Sequence, residues 1–213
     1  MAAKLSLVCG ILSALLYLAM IVFVPMLDPG YSSASQTVSE LSAIGTPTRP
    51  LWVGLGTVYT LLMVVFGWGV FTSAGHNRAL RAVGGLILAH GLIGLYWPPM
   101  HVRGAALTLT DTLHIVWSIA TALVMTLAIG IGAVAFGRRF RVYSIATLGV
   151  LVVSGALAGM DGPRVAANLP TPWVGIWQRI SIVALMLWLV VLAMSLLSAR
   201  RRTGLTESET ARA

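Results

Sequence analysis

LSLVCGILSALLYLAMIVFVPM, residues 5–26, decides the fold. These twenty-two residues carry no charge, and at about 1.5 Å of rise per residue a helix of about 20 crosses the ~30 Å hydrocarbon core of a bilayer. Backbone amides cannot stay unpaired in lipid, and the run lacks the two-residue alternation of a barrel strand, so it reads as a membrane helix. It exceeds the about 7 to 15 apolar residues of a cleavable signal peptide and is expected to be a retained anchor. Cys9 lies inside it as the sole cysteine, which excludes an internal disulfide and any CxxC metal or redox motif.

Five further runs of the same kind follow, at 51–73, 80–97, 111–136, 142–159 and 173–198. The sequence therefore predicts an all-α membrane protein, a six-transmembrane-helix bundle forming one domain over residues 1–202. The polar tail, residues 203–213, is expected to be disordered and cytoplasmic. Composition points the same way: the chain is 58% hydrophobic and 9% charged, with mean hydropathy +0.91, whereas a soluble domain carries about 25% charged residues.

The net charge of +8 separates along the chain. Lys4, Arg78, Arg81, Arg138, Arg139, Arg141, Arg200, Arg201, Arg202 and Arg212 fall at the termini and in the second and fourth connections. Arg49, Arg103, Arg164 and Arg179 fall on the opposite side, beside the acids Asp28, Glu40, Asp111 and Asp161. Basic residues concentrate on the cytoplasmic side of membrane proteins, so both termini are expected inside. The excess charge then marks topology and attraction to anionic inner-leaflet lipid. No basic stripe interleaved with aromatics exists, and a nucleic-acid partner is not expected.

The outer connections carry the structural signals. In the first, YSSASQTVSELSAIG, residues 31–45, reads as a short interfacial helix lying over the bundle, opened by Ser32 or Ser33 and closed by Gly45. Ser35, Ser39 and Ser42 would share one of its faces, Val38 and Leu41 the other. Thr108 and Asp111 have capping-box spacing, and Thr171-Pro172 reads as an N-cap followed by proline at the first helical position. Trp52, Trp97, Trp173 and Trp177 are expected as interfacial anchors. Glycines 84, 91, 94, 155 and 159 are expected to admit close helix packing.

Ionisable groups near the membrane interior mark functional sites by default. His90 would sit about 10 Å below the outer boundary, counted from Trp97 at 1.5 Å per residue. Asp111 and His114 are one turn apart on one helix face. With His101 and Glu40, these groups offer a donor set for a divalent, zinc-like ion with an open position for water. His90, His114, Asp111 and His101 are the candidate ligands, and Glu40, Asp111, His114 and Ser39 the candidate catalytic groups. Arg103, Arg164 and Arg179, with Trp97, are the candidate substrate contacts, able to clamp phosphate or carboxylate. The reaction implied is hydrolysis or transfer at a lipid headgroup by metal-activated water. Against this stand structural readings: Asp111 as a helix cap, His90 bonded to a hydroxyl such as that of Thr121, and loop pairs Glu40–Arg49, Asp161–Arg164 and Asp28–Arg179. A non-enzymatic transport or structural subunit, and an isoprenoid isomerase or cyclase using Glu40 or Asp111 as acid, are the rival functions. Membrane lipid is the partner the composition calls for; a homo-oligomer is compatible with it.

The stretch of residues 31–45, the WPPMH of residues 97–101 with Arg103-Gly104, and the TDTLH of residues 110–114 resemble the DUF998 family of bacterial and archaeal integral membrane proteins. The similarity continues through GRRFRVYS, residues 137–144, and NLPTP, residues 168–172. The resemblance implies a multi-pass bundle in a bacterial cytoplasmic (inner) membrane. It supplies no reaction, since the family's function is undefined, and it adds weight to Ser39, Glu40, His101 and His114.

Overall fold

The computed structural model of the chain describes the backbone of residues 2–210 and the side chains of residues 4–200. Seven α-helices are described: α1 (Ala2–Phe23), α2 (Arg49–Ser73), α3 (Arg78–Gly94), α4 (Leu109–Gly132), α5 (Arg138–Met160), the one-turn α6 (Gly162–Ala166) and α7 (Val174–Thr210). Each long helix packs on its neighbour in the chain, and α7 packs on both α5 and α1, so the bundle closes into a ring in chain order. No strand forms among the described residues; one isolated bridge joins Ile44 to His101.

Five helical stretches are long and apolar enough to cross a membrane: Lys4–Leu27, Arg49–Ser73, Leu109–Gly132, Arg138–Ala166 and Val174–Arg200. The span expected at 80–97 is the exception. Its helix α3 has 17 residues, about 26 Å at 1.5 Å per residue, because the chain leaves the helix after Gly94 ahead of Pro98 and Pro99. Proline disfavours helical backbone in the residue before it and cannot donate within the helix.

Glycine sets the closest helix approach. A Cβ on Gly67 would run into the Leu88 backbone, one on Gly84 into the Phe71 backbone, and one on Gly91 would lie 2.8 Å from a Val64 methyl. These three positions bring α2 and α3 almost into backbone contact. Gly84, Gly91 and, at 3.2 Å from the Thr60 hydroxyl, Gly94 therefore pack as expected, whereas Gly155 and Gly159 meet nothing within 4 Å. The core lies inside the ring, with Leu7, Met63, Phe66, Val83, Ile87, Ile129, Trp188 and Leu192 fully enclosed. Two polar contacts in it join helices: Trp188 donates to the Ser144 hydroxyl at 3.0 Å, and Ser154 and Ser181 share a 2.6 Å bond.

Two local expectations are corrected. The interfacial helix over residues 31–45 is absent; only the 3₁₀ turn Val38–Ser42 is helical, opened by a Thr37–Glu40 capping box. The preceding polar residues bond the backbone with their side chains instead, Gln36 accepting from the Ser32 amide at 2.7 Å and Ser32 from the Ser35 amide at 3.3 Å, and such local bonds compete with helix. Thr171 does not cap α7, which starts at Val174. Helix α7 runs on to Thr210; residues 211–213 lie outside the described residues.

Candidate functional site

The face that carries the α1–α2, α3–α4 and α5–α7 connections, the outer face in the topology expected from the sequence, is held together by side chains from three separate connections. Thr37 and Glu40 form the box that starts the 3₁₀ turn, and Glu40 Oε1 accepts from the Thr37 amide at 2.8 Å and the Thr37 hydroxyl at 3.0 Å. The same oxygen accepts from Arg103 Nη2 at 2.8 Å, while Oε2 accepts from Gln36 at 2.9 Å. The Glu40 and Arg103 side chains are 4% and 15% exposed. Arg103 also donates to the Thr171 hydroxyl at 2.9 Å, and Thr171 donates to the Ser35 carbonyl at 2.8 Å. One arginine thus ties the first, third and fifth connections to one another.

A second arginine repeats the device. Arg179, on α7, donates to the Ser33 carbonyl at 2.7 Å and the Tyr31 hydroxyl at 3.1 Å, with its guanidinium over the Tyr31 ring. Burial pushes the Tyr31 hydroxyl pKa up, an effect the neighbouring Arg179 opposes. Gln178 accepts from the Val38 amide at 2.8 Å, and Gly175 sits where a side chain would strike the Ser33 and Gln36 carbonyls. The pairs expected from the sequence are therefore replaced. Glu40 holds Arg103 rather than Arg49; Arg164 donates to the Pro170 carbonyl at 2.9 Å rather than to Asp161; Asp28 accepts from the Gly30 amide at 3.1 Å rather than from Arg179. Sequence proximity cannot reveal partners brought together by folding.

Asp111 is fully engaged as a cap. Its carboxylate accepts from the Thr108 amide at 2.8 Å, the Thr108 hydroxyl at 2.6 Å, the His101 amide at 2.7 Å and His101 Nδ1 at 3.0 Å. The capping box read from residues 108 and 111 is present. His114, one turn on, turns its Nδ1 to the Pro98 carbonyl at 2.8 Å, and its ring meets Trp97 edge-on at 5.5 Å. His90 lies against the Thr121 backbone, while the Thr121 hydroxyl bonds its own helix at the Trp117 and Ser118 carbonyls. Ser39 offers its carbonyl to the Ser42 hydroxyl at 2.7 Å.

The expected metal set is accordingly not assembled. Among the described residues no three His, Cys, Asp or Glu side chains come together to hold an ion. His101 and Asp111 are spent on each other, His114 turns its Nδ1 to the Pro98 carbonyl, and His90 stands apart from them with its Nδ1 buried and without a hydrogen-bond partner.

What the fold does enclose is a cavity of about 420 Å³ between α1, α2, α3, α4 and α7. Arg49, Ser42 and Trp52 stand at its outer end; His90, Thr60 and Thr121 line its flank; Met63, Leu185 and Met186 line its apolar depth. The exposed lining residues Val53, Thr57, Leu95, Tyr96 and Trp97 mark a mouth between the outer ends of α2 and α3. Of the candidates named from sequence, only His90 and Trp97 line this space. Glu40, Asp111, Arg103, Arg164 and Arg179 do not. Trp52, expected as an anchor, is 9% exposed and faces the cavity, whereas Trp173 is 61% exposed.

Arg49 is the residue that sequence reasoning missed. It was assigned to Glu40 as a loop pair, yet its guanidinium donates to the Ser42 carbonyl and no carboxylate pairs with it among the described residues. The available signal was its place, one arginine at the start of an apolar span.

No curated protein and no solved structure matches the chain. A family model described as "Protein of unknown function (DUF998)" matches residues 11–195, most of the length and all of the ring from within α1 to within α7, and the chain belongs to the DUF998 family.

Proposed function

We propose that this is a six-span inner-membrane protein with both termini cytoplasmic, whose outward-facing cavity binds a lipid or other small amphiphile. The cavity is the observation that carries the reading. Its volume of about 420 Å³ falls in the ~300 to 1,000 Å³ range of small-molecule sites, which are mostly apolar with a few placed polar groups. Its mouth lies between two helices at their outer ends, so a molecule dissolved in the outer leaflet can enter sideways. Helix α3, at 17 residues, reaches the lower end of the ~17 to 25 residues that span a bilayer, and it supplies the sixth crossing that puts both termini on one side. The distribution of basic residues supports the cytoplasmic assignment of that side.

Binding, rather than hydrolysis, is the chemistry supported. Among the described residues the lining holds one histidine and no carboxyl group, and Glu40 and Asp111 are committed to Arg103, His101 and Thr108.

Gly56 provides the test. It lines the cavity, and a Cβ there meets nothing within 4 Å. Leucine at this position fills the space and suits a helix better than glycine by about 0.8 kcal/mol or more. Gly56→Leu is expected to keep or raise the melting temperature of the detergent-purified protein. Quenching of its tryptophans by a brominated-chain amphiphile is expected to weaken at least tenfold. Unchanged quenching in a folded Gly56→Leu protein would sink the reading.

A further inference from the structure

The cavity has a cation at its entrance and, among the described residues, no carboxylate to neutralise it. Arg49 is half-buried at the first position of α2, and its guanidinium donates to a neutral acceptor, the carbonyl of Ser42, which also lines the cavity. Of the other three arginines at this end, Arg103 meets the Glu40 carboxylate, while Arg179 and Arg164 also meet neutral oxygens, those of Ser33 and Tyr31 and of Pro170; among the four, Arg49 is the one that lines the cavity. The nearby acids are also spent, Glu40 on Arg103 and Asp111 on His101 and Thr108. A guanidinium carries five donors in a planar fork that matches carboxylate or phosphate oxygens, and such charge-assisted pairs are the strong hydrogen bonds. The N-terminal end of the 25-residue α2 adds a partial positive charge at the same place.

The shape of the cavity supports a matching ligand. Met63 lies fourteen residues after Arg49 on the same helix, and both line the cavity, so the space runs about 21 Å along α2 at 1.5 Å per residue. It passes from a guanidinium and a tryptophan at the outer end to Met63, Leu185 and Met186 at depth. That is the polarity profile of an amphiphile lying with its head at the membrane surface and its tail inward.

We infer that the ligand is an amphiphile with an anionic oxygen headgroup, carboxylate or phosphate, seated on Arg49, with its apolar tail running along α2 to Met63. The inference rests on the amphiphile-binding reading and adds the charge and position of the head.

The experiment uses the full chain in a nonionic detergent at pH 8 and three probes with one shared oleoyl tail: oleate, oleoyl lysophosphatidate and oleyl alcohol. Affinities are read from tryptophan fluorescence, and each variant's melting temperature is recorded. At least one anionic probe should bind tenfold or more tightly than the alcohol, and whichever is the tighter of the two identifies the head as carboxylate or phosphate. Arg49→Gln should remove that preference while changing the affinity for the alcohol less than twofold. Arg49→Lys, which keeps the charge and loses the fork, should retain part of the preference and guards against a folding defect in Arg49→Gln. Arg164→Gln, outside the cavity, should behave as the native chain. Equal binding of all three probes to the native protein, or an undiminished preference in folded Arg49→Gln, overturns the headgroup assignment and leaves amphiphile binding standing. Failure of every probe to bind overturns both.

Discussion

Arg103 shows what a single side chain does at the outer face. Its guanidinium meets Glu40 at 2.8 Å, Thr171 at 2.9 Å and the Ser35 carbonyl at 3.4 Å, residues separated by up to 136 positions in the chain. Both partners of the ion pair are nearly enclosed, and removing one leaves the other desolvated, which costs about 3 to 5 kcal/mol. Glu40→Gln and Arg103→Gln are each expected to lower the melting temperature by several degrees, and the double variant to lose less than the sum of the two. Additive losses in that cycle would mean the two charges act independently. At this scale, legibility followed distance in sequence. The Thr108–Asp111 box was readable because both members lie within one turn, whereas the Glu40–Arg103 pair spans 63 residues, and local spacing pointed instead to Arg49.

Among the elements, α2 and α3 depend on each other most closely. Gly67, Gly84 and Gly91 remove the side chains that would otherwise hold their backbones apart. Gly84→Leu is expected to destabilise the purified protein strongly, beyond the about 1 to 3 kcal/mol of ordinary overpacking, because backbone atoms rather than movable side chains stand in the way. Gly155→Ala on α5, where nothing lies within 4 Å, should be neutral or stabilising by up to about 1 kcal/mol. A thermal melt of the two variants checks both, and equal behaviour would contradict the packing described. Glycines at regular spacing were visible in the sequence in both helices; which of them met a neighbour depended on how the ring closed. The first outer connection taught the opposite lesson. Its seven-residue-spaced serines suggested a helix, but Ser32 and Gln36 satisfy backbone amides directly, and the helix gave way to a single 3₁₀ turn.

For the whole molecule, the ring of helices leaves its long, knitted connections on one side and its short, arginine-bearing ones on the other. The connections from α1 to α2, α3 to α4 and α5 to α7 form the bonded outer cap, and Asn77 links the two opposite connections through the Ala135 carbonyl at 2.9 Å. With Cys9→Ser as background, a cysteine at Ser32, which is exposed, should react with an impermeant maleimide on intact cells. A cysteine at Gly137 should react only after the membrane is opened. The reverse pattern would invert the topology.

Sequence by itself determined that this chain is built of helices apolar enough for a membrane, because hydropathy acts locally and lipid leaves the backbone no alternative to helix. It also showed where the scarce ionisable residues gather. Only the tertiary structure decided what those residues do. Folding committed Asp111 to His101 and Glu40 to Arg103 and left Arg49 facing a cavity. Partnership between charges depends on distances in space, and those arise only when the ring has closed.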